Sequence, residues 1–124
     1  MALARHIHFF FTMREQIKLY HWQTHSFARH KATDDVVKEL DELIDEFVEV
    51  WMGKYGRPTM TKGTATVSIK NMSETTAIRF IKHCLEYIQG DLTKSLKGDD
   101  TDLANLRDEM LGNLHKLLYL FTLK

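Results

Sequence analysis

The chain contains little that would interrupt a helix or crosslink a fold. Its 124 residues include one proline, one cysteine and six glycines. Because proline and glycine are the residues that most often end helices, their scarcity permits long helices over most of the chain. The single cysteine, Cys84, excludes a disulfide framework within one chain, and it excludes a zinc site built from several thiolates.

An excess of charge of either sign is also missing. Lysine plus arginine and aspartate plus glutamate both number 17, so the formal net charge is zero. Electrostatic nucleic-acid binders neutralise phosphates with excess cations, and we therefore expect DNA binding to be weak or absent. The apolar run at residues 7–11 is interrupted by His8 and is too short for a signal peptide or a membrane span. We expect a soluble, cytoplasmic protein.

Apolar residues recur at three- and four-residue steps in four blocks, which predicts an all-α fold. We predict one domain over residues 1–124, with helices at about 3–25, 30–54, 73–97 and 101–122. The connections are short, long and short in chain order. This order is typical of a ferritin-like four-helix bundle with a long connection between the second and third helices.

Histidines and carboxylates cluster where the first predicted helix meets the second. Three histidines fall within ten positions and carboxylates follow along the second helix: His21, His25, His30, Asp34, Asp45 and Glu49. On a helical wheel the band from His30 to Glu49 flanks the apolar stripe of the helix. Imidazole and carboxylate ligands together suit iron, manganese or zinc. The alternative interpretation is a solvated acidic helix that follows a histidine-rich turn.

The spacing of these ligands requires a second copy of the chain. His30 and Glu49 are separated by about 28 Å along a helix, so they cannot share a metal ion within one chain. If two copies pair antiparallel about a twofold axis, residues whose numbers sum to 79 face each other. His30 then meets Glu49 of the partner subunit, and Asp34 meets Asp45 of the partner subunit. The sequence therefore predicts a homo-oligomer, a dimer at minimum, with metal sites between chains.

The same residues resemble the ferroxidase signature of the Dps family, the DNA-binding proteins from starved cells or miniferritins. The shared pattern is a His-Trp pair, a histidine and an aspartate four residues apart, and an Asp-x-x-x-Glu pair one helix length on: His21, Trp22, His30, Asp34, Asp45 and Glu49. In that family the two histidines come from one subunit and the Asp/Glu pair from its twofold mate. The link from His21 to His30 is shorter here than in typical members, so His25 is an alternative ligand to His21.

The resemblance implies a dinuclear iron site between two subunits, at which peroxide or oxygen oxidises Fe(II). It also implies iron storage and detoxification if a dodecameric cage forms. The implied metal ligands are His21, His30, Asp34, Asp45 and Glu49, and zinc or manganese are possible substitutes for iron. Trp22 is expected beside the metals, where it could quench oxidising equivalents. Two alternatives stay open: a helical homodimeric structural or interaction module that binds zinc or no metal, and a DNA-compacting protein without redox activity.

Overall fold

The computed structural model describes residues 2–124, which form four α-helices and, within this range, no β-strand. The prediction of an all-α fold is confirmed. No helix in the described range is both long enough and apolar enough to cross a membrane. The helices are α1 (Ala2–Gln23), α2 (Phe27–Tyr55), α3 (Glu74–Tyr87) and α4 (Thr101–Leu120), and a π-helical turn (Ile88–Leu92) follows α3 directly.

The turn between α1 and α2 is tighter than the periodicity predicted. Ser26 caps α2 by accepting a hydrogen bond from the backbone N–H of Arg29 (3.2 Å), so α2 begins at Phe27 rather than near residue 30. The helix α1 correspondingly ends at Gln23 rather than near residue 25. Only residues 24–26 separate the two helices, and this short turn brings the end of α1 beside the start of α2.

The third helix is shorter than predicted. Ser73 and Thr76 form a reciprocal capping box, which starts α3 at Glu74. Regular α-helical hydrogen bonding is interrupted after Tyr87 by the π-helical turn, and it returns only at Thr93 and Lys94, short of the predicted end near residue 97. The bounds of α4 lie close to the predicted ones.

One apolar core fills the space between the helices. The helix α1 packs against α2, α2 against α4, and α3 against α4. Cys84 also lies in the core, where burial raises the pKa of its thiol. The largest fully buried side chains come from all four helices and the π-helical turn: Tyr20, Phe10, Phe47, Met13, Ile17, Leu40, Ile81, Ile88, Leu92, Leu103, Met110 and Leu114.

The long connection between α2 and α3 spans residues 56–73 and contains no helix or strand. Its last part, residues 64–72, is held along α1, and we call it the strap. The side-chain amide of Gln16 accepts from the N–H of Lys70 (2.9 Å) and donates to the carbonyl of Lys70 (2.5 Å). The ring of His8 donates to the carbonyl of Thr66 (2.8 Å). Side chains of α1 thus form the hydrogen bonds to the strap backbone that a neighbouring β-strand would otherwise form.

A buried histidine ties α1 to the segment after α3. His6 is fully buried, and its two ring nitrogens contact Tyr87 Oη (2.7 Å) and Ser95 Oγ (2.8 Å). Since the Ser95 hydroxyl donates to the carbonyl of Leu92, Ser95 accepts from His6 Nε2–H, and Tyr87 donates to His6 Nδ1. Burial, and then the charge of Arg5, lower the pKa of His6 from 6.5 to about 4. The ring is therefore held neutral in the folded state.

A buried arginine joins all four helices at the end of the bundle where α1 meets α2. The guanidinium of Arg29 donates to Tyr20 Oη of α1 (2.9 Å), to the carbonyl of Glu74 in α3 (2.9 Å), and to the carbonyl of Phe121 after α4 (3.2 Å). It also pairs with the Glu74 carboxylate (3.4 Å) and lies 4.5 Å from the centre of the Phe121 ring. These bonds fix the register of α1 against α2.

We expect loss of this guanidinium to destabilise the fold. Arg29→Met keeps most of the apolar stem but leaves the buried acceptors around Tyr20 and Phe121 without a donor. Because each hydrogen bond to a charged group contributes about 1.5–3 kcal/mol, the free energy of unfolding should fall by about 2–4 kcal/mol in urea denaturation. Arg57→Met, at an exposed position in the long connection, is the matched control and should change it by less than about 0.5 kcal/mol. Equal effects of the two substitutions would contradict this role of Arg29.

The buried His6 also predicts acid sensitivity. Because its pKa is about 4 in the folded chain and 6.5 otherwise, the unfolded state binds an additional proton between these values. Stability is therefore unaffected by this group above pH 6.5 and falls as the pH is lowered towards 4, by about 3 kcal/mol in total. His6→Gln should flatten the dependence of unfolding free energy on pH in this window. An unchanged slope in the variant would show that another group is responsible.

Candidate metal centre

Two histidines from neighbouring helices form a stacked pair at the α1–α2 turn. The rings of His21 in α1 and His30 in α2 lie 3.9 Å apart between centroids, with 16° between their planes. His21 Nδ1 is 2.7 Å from the carbonyl oxygen of His30, and His30 Nδ1 is 2.8 Å from the carbonyl oxygen of His21. A carbonyl oxygen only accepts, so each Nδ1 carries the proton. In the neutral rings, the free lone pair is on Nε2 in both cases.

This arrangement is the one in which imidazole serves as a metal ligand. A ligating histidine characteristically donates its other ring N–H to a carbonyl or carboxylate, and that bond sets the tautomer and the ring orientation. Thr33 adds to the support, because its hydroxyl donates to the carbonyl of Arg29 (2.7 Å) and its oxygen lies 3.0 Å from His21 Nδ1. Bonds within the chain thus orient both Nε2 atoms, and two imidazoles oriented in this way fit as one part of a transition-metal ligand set.

Large aromatic rings surround the pair on the outside of the bundle. His21 is 6% exposed and His30 is half-buried, whereas Trp22 is 66% and Phe27 75% exposed. The ring centroids of Trp22 and His21 are 6.4 Å apart, and those of Phe27 and His30 are 6.5 Å apart. The Lys18 ammonium lies 5.2 Å from the centre of the Trp22 ring. Trp22 thus stands beside His21 with its ring largely open to solvent.

Asp34 lies one helical turn after His30 and is partly exposed. Its carboxylate pairs with Lys38 at 3.2 Å. The hydrogen bond from Lys38, and further the positive charges of Lys38 and Lys18, lower the pKa of Asp34 below its ordinary value. The carboxylate is therefore ionised near neutral pH, as a metal ligand must be.

Asp45 and Glu49 lie towards the other end of α2, and both are exposed. Asp45 lines a groove of about 360 Å³ between α1 and α2, together with Phe11 and Asp41. Arg14 crosses this groove to pair with Asp41 at 2.8 Å. Neither Asp45 nor Glu49 takes part in an ion pair within residues 2–124. Helical rise puts them about 22 and 28 Å from His30.

The structure therefore brings together only part of the predicted set. His21, His30 and Asp34 share one end of the α1–α2 hairpin, and Asp45 and Glu49 lie far from them. Within the described chain no three histidine, cysteine, aspartate or glutamate side chains converge on a point where they could hold a metal ion. His25 is exposed and is not part of the stacked pair. The sequence did not predict the contacts of Thr33 and of the His21 and His30 carbonyls with the Nδ1 atoms, because backbone acceptors leave no pattern in the side chains.

Comparisons with known proteins place the chain in a family without a known activity. The model of a family of unknown function, DUF5856, matches residues 21–121, so the chain belongs to this family. A protein of Enterobacteria phage T4, described as an uncharacterized 14.6 kDa protein in the mobD-ri intergenic region, is 31% identical over 105 residues. The match covers 84% of this chain and 75% of the phage protein. No solved structure matches the chain.

These findings correct the resemblance to the Dps family. The matching family model is one of unknown function, and the phage relative carries no ferritin-like description. The error has a physical origin. Six residues at helical spacing describe one face of a helix hairpin, and unrelated helical proteins can present the same face. The family assignment is therefore wrong, and any metal chemistry has to be argued from the residues themselves.

The reciprocal histidine bonds can be tested without metal. Long-range proton–nitrogen NMR correlations of the metal-free protein at mildly alkaline pH should show the Nδ1–H tautomer for both His21 and His30. His115, exposed on α4, is the internal control and should show mainly the Nε2–H form of free imidazole. A neutral ring with its proton on Nε2 would contradict the geometry, because its Nδ1 could not then donate to the carbonyl oxygen.

Proposed function

We propose that two copies of the chain pair through α1 and α2 and hold Fe(II) between them for oxidation. The observation that carries this proposal is the stacked pair of His21 and His30, whose Nδ1 atoms are both occupied by carbonyl oxygens. Two neutral imidazoles with oriented Nε2 lone pairs form half of a transition-metal site. The other half has to supply the anionic ligands.

The parallel rings favour two metal ions over one. A metal ion binds in the plane of its imidazole, and planes only 16° from parallel with centroids 3.9 Å apart cannot both contain one ion at bonding distance. Two ions side by side, one for each ring, would have about the 3.5–4 Å separation of known dinuclear sites. The pair therefore supports a dinuclear site, and Asp34, one helical turn after His30, would hold the second ion directly or through water.

Charge along α2 supports antiparallel pairing of two copies. Residues 40–50 contain five carboxylates and no cation, whereas residues 29–39 contain Arg29, Lys31, Lys38 and His30 beside three carboxylates. Antiparallel contact therefore sets the acidic end of one helix against the histidine end of the other. In the register that pairs His30 with Glu49, the remaining central pair is Lys38 with Asp41, which is attractive.

The exposed aromatic rings supply the apolar contact that such a pair requires. Phe11, Trp22 and Phe27 are exposed on the side of the α1–α2 hairpin that carries the ligands. Covering them would remove apolar area from water at about 25 cal/mol per Å². The same contact would shield the metals from solvent, and Trp22 would lie where it can donate an electron to an oxidising intermediate.

Each group of the proposed site has a defined task. His21 and His30 would bind as neutral ligands, and Asp45 and Glu49 of the partner subunit would supply the carboxylate ligands. Two Fe(II) ions each give up one electron, and together they reduce one peroxide, with two protons, to two water molecules. Because the rings must be neutral to bind, iron uptake should fall when the histidines are protonated.

The proposal has three further parts: the arrangement of the helices, the location of the protein and the storage of iron. A ferritin-like arrangement of the four helices and a cytoplasmic location remain predictions. Storage of oxidised iron would require a closed shell of many copies.

The second candidate function is a dimer that binds zinc or no metal and serves as an interaction module. The exposed rings of Trp22 and Phe27 favour this function, because they would support pairing of two copies without any redox chemistry.

Complementation between two half-site variants tests the proposal. His21→Ala/His30→Ala removes the histidine half, and Asp45→Asn/Glu49→Gln removes the carboxylate half. Neither variant alone should oxidise Fe(II) in the presence of peroxide. After the two are unfolded and refolded together, half of the dimers carry one intact site, so about a quarter of the wild-type activity should return.

The controls separate the possible failures. Asp35→Asn/Glu39→Gln changes two carboxylates on the side of α2 that faces α4, and it should leave oxidation unchanged. Full activity of either half-site variant would contradict a shared site, as would an inactive mixture in which mass measurement finds mixed dimers. Saturable metal binding by the wild type without oxidation of Fe(II) would favour the interaction module.

A further inference from the structure

A second groove, of about 520 Å³, lies between α1, the strap and α3. We call it the strap groove. It differs from the groove beside Asp45, because it is formed by another side of α1, which presents Thr12 and Gln16. Its volume falls in the range of pockets that bind small molecules. None of the residues proposed as metal ligands lines it.

The charge that lines the strap groove is entirely positive. Lys70, Arg79 and His83 are its ionisable residues, and no carboxylate lines it. In residues 2–124 none of these three takes part in an ion pair, whereas Arg14 and Arg29 each pair with a carboxylate. A chain with a net charge of zero has thus left three basic side chains around one concave surface without anionic partners.

The walls of the strap groove are held in place by bonds already described. Arg79 and His83 are four residues apart on α3, so they extend from the same face of that helix. Lys70 lies on the opposite wall, where Gln16 fixes both backbone groups of this residue. Between them, Met72 and Phe80 are half-buried and give the groove an apolar surface. The strap groove therefore combines basic side chains with an apolar wall, and hydrogen bonds from Gln16 hold the backbone of one side in place.

We propose that the strap groove binds a small organic anion, with a carboxylate or phosphate head group on an aromatic or aliphatic body. The planar guanidinium of Arg79 can bind such a head group through two parallel hydrogen bonds, Lys70 adds positive charge, and the ring of His83 can donate a hydrogen bond. The Phe80 ring packs against the apolar body. This inference is independent of the metal site, and each can fail without the other.

NMR titration with model anions tests the proposal. Phenyl phosphate and benzoate should shift the backbone amides of residues 68–72 and 76–83 saturably at millimolar concentrations. Inorganic phosphate, which lacks an apolar body, should bind more weakly, and neutral benzyl alcohol should not bind. Arg79→Gln should weaken binding of phenyl phosphate about tenfold, because it removes the bidentate donor. His83→Gln should weaken it less.

Lys82→Gln is the matched control, because Lys82 is an exposed cation on the same helix that does not line the groove. It should leave the affinity for phenyl phosphate unchanged. Three results would overturn the proposal: no saturable binding of either aromatic anion, an equal loss in the Lys82 and Arg79 variants, or binding of inorganic phosphate as tight as that of phenyl phosphate. All variants change exposed side chains, and far-UV circular dichroism checks that each is folded.

Discussion

The bond between Arg29 and Tyr20 sets the geometry on which the rest of the candidate site depends. Tyr20 directly precedes His21, and Arg29 directly precedes His30. Their bond of 2.9 Å on the inner side of the hairpin therefore holds the two histidines opposite each other on the outer side. The further bonds of Arg29 to α3 and to the end of α4 make this register a property of the whole bundle. The reciprocal histidine–carbonyl bonds need that register, because a shift of one residue would remove both acceptors.

In the proposed dimer each chain supplies half of a site, and the geometry of α2 explains why. A helix of 29 residues carries its imidazole ligand near one end and its free carboxylates near the other, too far apart to share an ion. Antiparallel pairing of two copies would overcome this separation without any change of fold, because the histidine end of one helix would face the carboxylate end of the other. The exposed rings of Trp22 and Phe27 beside the histidines would be covered by the same contact. Pairing and metal binding would then stabilise each other.

Much of the fold could be predicted from the sequence, because helical periodicity reports which residues face the core. Phe10, Leu40 and Met110 are buried as the pattern indicates. The ends of the helices were less accessible to prediction. Ser26 starts α2 early through a local cap, and the π-helical turn after Tyr87 has no clear pattern in the side chains. The position of the strap depends on Gln16, whose side-chain amide bonds the N–H and the carbonyl of Lys70 as a neighbouring strand would.

The candidate site could be predicted only in part. The spacing of His21 and His30 indicated metal ligands, but their stacking and tautomers depend on backbone carbonyls and on Thr33. The family resemblance drawn from the same residues was wrong, since a short pattern on one helix hairpin carries little information about ancestry. The proposed metal site therefore depends on the geometry of these residues and not on membership of a known metal-binding family.

The most direct test of the central claim is anomalous X-ray diffraction at the iron edge, from crystals grown with Fe(II) under anaerobic conditions. The account predicts two iron peaks about 3.5–4 Å apart, one beside Nε2 of His21 and one beside Nε2 of His30. Asp45 and Glu49 of a second, twofold-related copy should complete their coordination. Iron bound away from the histidine pair, or held by the residues of a single chain, would contradict the account.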